Sequence, residues 1–100
     1  MQRLFAVIRS RGPNWDATRR MEDQQDWQPH AAFMTALHAD GFLPLVGPLE
    51  GTPDVLLIAR ADNAEQVIAR LAGDPWTGSG HLRLTQVAPW TVRLGTLDAG

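Results

Sequence analysis

The chain has 100 residues, 44% of them hydrophobic and 20% charged, which is the balance of one globular domain rather than a disordered or fibrous segment. Its formal net charge of −2, with arginines scattered along the chain, lacks the basic stripe that nucleic acid binding requires. The absence of cysteine excludes a disulfide framework, a thiolate nucleophile and a cysteine metal cluster.

Taken in chain order, Leu4 to Ile8 is an apolar run closed by Arg9, Ser10 and Arg11 and by the turn formers Gly12, Pro13 and Asn14, which predicts a first strand. From about Thr18 to Asp40 the spacing of Trp27, Ala31, Met34 and Leu37 predicts a helix stopped by Gly41. Pro29 interrupts it, so the helix either kinks there or restarts there. Phe42 to Leu49 and Pro53 to Arg60, joined by Glu50, Gly51 and Thr52, predict a hairpin. Asp62 or Asn63, with Glu65 or Gln66 three residues on, is a capping signal for a second helix that presents Val67, Ile68 and Leu71 and ends at Gly73. A loop from Asp74 to Gly80 leads to a strand from His81 to Ala88, with Trp90 to Leu94 as its extension, and residues 96–100 are expected to be a flexible tail.

The resulting order is βαββαβ, the ferredoxin-like α+β arrangement with an antiparallel sheet, read as a single domain over residues 1–100. That fold puts the second and fourth strands at the sheet edges, where prolines are tolerated, and Pro44 and Pro89 fall in or beside them. Right-handed crossovers place both helices on one face. Leu4–Ile8 and Val55–Ala59 are nonetheless apolar on both sides, so a homodimer packed through the sheet faces is the expected cover. No apolar run is long enough to cross a membrane, and a cytoplasmic location is expected.

Several separated pieces carry a resemblance: His30 with Ala31-Ala32-Phe33-Met34, Gly41-Phe42-Leu43 leading to Val46-Gly47-Pro48, then Asp74-Pro75-Trp76, and Ala88-Pro89-Trp90. In this order and spacing the chain resembles the YCII-related family of the dimeric α/β-barrel superfamily, from about Leu4 to Leu94. The resemblance implies a homodimer enclosing a pocket and an active-site histidine and aspartate, here His30 and Asp74. The wider superfamily includes isomerases, dehalogenating lyases and oxygenases that act without metal or flavin.

A carboxylate on one nitrogen of an imidazole fixes its tautomer, so His30 with Asp74 is a candidate general acid/base pair for an enolisable small molecule. The competing account makes His30 an ordinary helix residue and Asp74 the cap of a turn starting at Pro75. Arg9 and Arg11 end the first strand and either clamp a carboxylate or phenolate or are merely solvated. Of the four tryptophans, Trp27 and Trp76 are candidates to line the pocket, against a plain core or interface role. His30, His38 and His81 show no metal-ligand spacing, and Gly78-Ser79-Gly80 is a turn rather than a phosphate cradle, so neither metal nor cofactor is expected. The functional expectation is a cofactor-independent isomerase or lyase; a metabolite-binding or accessory module of the same fold is the alternative. On the first reading, His30→Ala and Asp74→Asn abolish turnover and leave the fold intact.

Overall fold

A computed structural model describes residues 1–97 and contains four strands and three helices. In chain order they are β1 (Arg3–Arg11), α1 (Trp27–Ala39), β2 (Leu45–Pro48), β3 (Asp54–Ala61), α2 (Ala64–Leu71), α3 (Pro75–Ser79) and β4 (Leu82–Trp90). Every pairing is antiparallel and the strands lie in the order β2-β3-β1-β4, so the ferredoxin-like α+β expectation holds. Pro48 within β2 and Pro89 within β4 both lie on edge strands, where a missing donor costs no inner ladder bond.

Alternation along β1 separates the two faces. Phe5, Val7 and Arg9 are buried beneath the helices, and Leu57 and Ala59 stand opposite Val7 and Phe5 on β3. Leu37, Phe42, Leu43, Val67 and Leu71 close the core above them. The other face carries Leu4, Ala6 and Ile8 with Leu56 and Leu45 beside them and Trp90 at the β4 edge; Leu45 is 53% and Trp90 44% exposed.

Several elements differ from expectation. β1 runs three residues beyond Ile8 because Arg9 is buried rather than solvated. The first helix does not begin at Thr18. Residues Met21–Asp23 form one 3-10 turn, and the buried Gln24 amide binds the Asp16 N–H, the Asp16 carbonyl and the Arg19 carbonyl, holding the preceding loop in a non-helical path. Asp26, at φ 62°, is left-handed, and α1 starts immediately after it. Pro29 therefore lies in the first turn, where its absent N–H would have had no helical partner.

At the other end of α1, Gly41 takes φ 88° while the Phe42 and Leu43 N–H groups bond the Leu37 carbonyl. That tight stop turns Phe42 and Leu43 into the core, so β2 is shorter than Phe42–Leu49. In α2, Asn63 is the cap and Gln66 reaches back to the Asp62 N–H; Val67 and Leu71 are buried but Ile68 is 48% exposed. The expected Asp74–Gly80 loop contains α3. β4 continues through Pro89 to Trp90, and residues 91–94 do not extend it as a strand. Residues 98–100 of the expected tail lie outside the described residues.

Gly12 ties β1 to the α3 end. Its N–H bonds the His81 carbonyl at 2.8 Å, and a Cβ on it would overlap the backbone carbonyl of Gly80, which cannot rotate away. Gly12→Ala is expected to destabilise the protein by about 1–3 kcal/mol, the usual cost of forcing extra volume against fixed atoms. Urea unfolding of the variant checks this, and a wild-type midpoint contradicts it.

Candidate active site

α3 places the carboxylate. Asp74 is its N-cap and Pro75 its first residue, so Asp74 Oδ1 accepts the Trp76 N–H at 2.9 Å. Capping accounts for only part of what Asp74 does, because its side chain is fully buried and meets two other elements. Oδ2 accepts from Arg9 Nη2 of β1 at 2.8 Å, and His30 Nδ1 of α1 lies 2.9 Å from both carboxylate oxygens.

Each partner is held in turn. Arg9 Nη2 also donates to Thr77 Oγ1 at 3.1 Å, whose hydroxyl donates to the Leu71 carbonyl, and Arg9 Nη1 approaches Met34 Sδ at 3.7 Å. The His30 ring stacks on Trp76 with centroids 3.8 Å apart and planes 10° from parallel. The Trp76 indole N–H donates to the Gln25 carbonyl at 2.7 Å, fixing the plane on which His30 rests. The backbone N–H of His30 bonds the Asp26 carbonyl at 3.1 Å, so the left-handed residue before α1 anchors the backbone from which the imidazole projects.

Burial by itself would raise the pKa of Asp74. The hydrogen bonds from His30, the Trp76 N–H and Arg9, with the charge on Arg9, outweigh it and hold the carboxyl below the 3.8 of an ordinary aspartate. An ionised carboxylate only accepts, so His30 Nδ1 carries the proton facing it. In the neutral imidazole that leaves a lone pair on Nε2. Nε2 has no hydrogen-bond partner among the described residues, yet no buried polar side-chain atom there is left unpaired. It therefore opens onto the cavity that His30 lines.

That cavity has a volume of about 510 Å³ and lies between α1 and the helix-side face of the sheet. Its walls are mainly apolar, with Trp15, Met21, Trp27, Met34, Val46 and Leu57 prominent. A basic Nε2 facing an apolar chamber is suited to taking a proton from, or returning one to, a carbon of a bound molecule.

The structure brings together His30, Asp74, Arg9 and Trp76. Trp27 lines the cavity, with its ring centroid 5.8 Å from that of His30. Trp76 does not line it; it is 1% exposed and backs the imidazole instead. Arg9 reaches the cavity wall but is neither a solvated strand end nor an unoccupied clamp, since its guanidinium is committed to Asp74. Trp15 and Met34 carried no pocket assignment from the sequence, as both fitted a plain core role. His38 binds the Leu43 carbonyl near the far end of α1, and His81 meets the Ser79 hydroxyl behind Trp76. Among the described residues no three histidine, aspartate or glutamate side chains converge as a metal site.

The model of the YCII-related domain matches residues 4–91, and this span contains all three helices and the sheet except for Arg3, the first residue of β1. No curated protein matches the chain at a significant level. The match covers most of the 100 residues, and with the fold it shows that the chain belongs to the YCII-related family.

Proposed function

We propose that the protein is a cofactor-independent enzyme of isomerase or lyase type that moves a proton on a small molecule held in the cavity. His30 is the proton carrier, through Nε2, and Asp74 fixes its tautomer and stabilises the imidazolium formed during turnover. Arg9 and Trp76 are positioning residues, the first holding the carboxylate and the second the ring. The observation that carries this reading is the imidazole anchored on one nitrogen by a fully buried carboxylate and open on the other to an apolar cavity.

The test is wash-in of deuterium. Enolisable aromatic and aliphatic carbonyl compounds, incubated with the protein in D₂O and followed by proton NMR, are expected to include at least one that exchanges far faster than in buffer. Binding without accelerated exchange across such a set transfers the cavity to a metabolite-binding module.

The same reading includes a homodimer. Leu4, Ala6, Ile8, Leu56, Leu45 and Trp90 make an apolar surface opposite the helices, and apposing two copies of that surface would remove it from water. The wild type is expected to sediment at twice the chain mass, and Ile8→Glu at the chain mass. A monomeric wild type at micromolar concentration counts against the dimer.

A further inference from the structure

Four residues that carry ionisable groups border the cavity: Arg9, Arg11, His30 and Asp54. Three of them are already engaged. Arg9 and His30 share Asp74, and Asp54 accepts the hydroxyl of Ser10, its neighbour across the β1–β3 ladder, on the side of the sheet away from the helices. Arg11 differs. Its backbone is fixed, with the N–H on the Pro53 carbonyl at 3.0 Å and Leu82 paired opposite. Its guanidinium lies over the Trp15 ring at 4.9 Å and has no carboxylate within ion-pair distance among the described residues. It shares the helix-side face of β1 with Arg9, two positions nearer the strand end and the solvent.

We propose that Arg11 is the anion subsite of this cavity and that the substrate is a small carboxylate with a flat apolar body. The fork of a guanidinium matches a carboxylate in two parallel hydrogen bonds, and stacking on Trp15 restricts the fork before the ligand arrives. Trp27, Met34 and Leu57 offer the apolar body a surface deeper in the cavity, toward His30. That the reacting carbon faces His30 rests on the acid/base reading above; the anion subsite itself does not.

The test compares 2-naphthoate with 2-naphthamide, which has nearly the same shape and no charge, by titration into ¹⁵N-labelled protein while the indole N–H signals of Trp15 and Trp27 are followed. The acid is expected to bind about tenfold more tightly than the amide, as one charge-assisted hydrogen-bonded pair would give. The preference is expected to vanish in Arg11→Gln and to persist in Arg3→Gln, which removes the same charge from the far end of β1. Equal affinities, a preference that survives Arg11→Gln, an equal loss in Arg3→Gln, shifts that bypass both indoles, or no saturable binding of either probe each overturn the subsite. The two proposals fail separately. Anion preference without any deuterium exchange removes the acid/base role alone, whereas exchange without anion preference removes the subsite alone.

Discussion

His30→Gln is expected to slow proton exchange on a responsive compound by about 10²–10⁴-fold, the range a positioned general acid/base contributes. Glutamine can still donate a hydrogen bond to Asp74, so the buried carboxylate keeps three partners, but it has no nitrogen that accepts a proton near neutral pH. The loss should appear in kcat. The cavity walls, which supply most of the binding surface, are untouched, so affinity for a non-reacting ligand should change little. Stability should fall only modestly, because the lost groups are one stacking contact on Trp76 and part of one hydrogen bond. Exchange that persists in His30→Gln would remove the histidine from the chemistry, whatever the fate of the fold.

Asp74→Asn is expected to be the most destabilising single change in the site. Arg9 is 2% exposed and its ion pair is with Asp74, so neutralising the aspartate leaves a buried cation without its counter-charge, at a cost of about 3–5 kcal/mol. This replaces the expectation, drawn from sequence, that the substitution would spare the fold. Arg9→Met combined with Asp74→Asn should recover most of that loss, since the buried charge goes with its partner. A single Asp74→Asn variant as stable as the wild type, or a double variant no better than the single, would show that the pair does not carry the assigned charge. The pH dependence has a definite sign. The folded carboxyl titrates below its unfolded value, so its contribution is fully present above about pH 4 and is lost as the pH falls through the folded pKa. The acid limb of the stability profile should therefore flatten in the double variant. Catalysis is consequently better probed at His30 than at Asp74, where loss of activity and loss of fold coincide.

The fold was legible because its signals are local. Apolar runs closed by turn formers, the cap at Asp62 or Asn63, the Gly41 stop and the turn at Gly51 each depend on neighbours within a few residues, and Pro44 and Pro89 agreed with the strand order that βαββαβ implies. His30 and Asp74 were legible as a pair only through family resemblance, since 44 positions separate them and nothing local links a helix residue to a helix cap. Arg9 was legible only as a strand-end cation whose polarity argued for solvent; that it shares the buried face of Phe5 and Val7 emerges from the structure.

What lay beyond any local pattern was which group each buried charge would meet. Arg9 and Asp74 are 65 residues apart, and a cation aimed into a core is stabilised there only if the chain returns a carboxylate to the same point. The same holds for Trp76, whose side chain reads as core from sequence and becomes the bed of an imidazole only because α1 and α3 converge. Composition and periodicity indicate most of the apolar side chains that leave water, though not Arg9 or Asp74. The meeting of distant segments determines which of them are paired, and therefore that Arg9 is spent on Asp74 while Arg11 keeps its charge for the cavity.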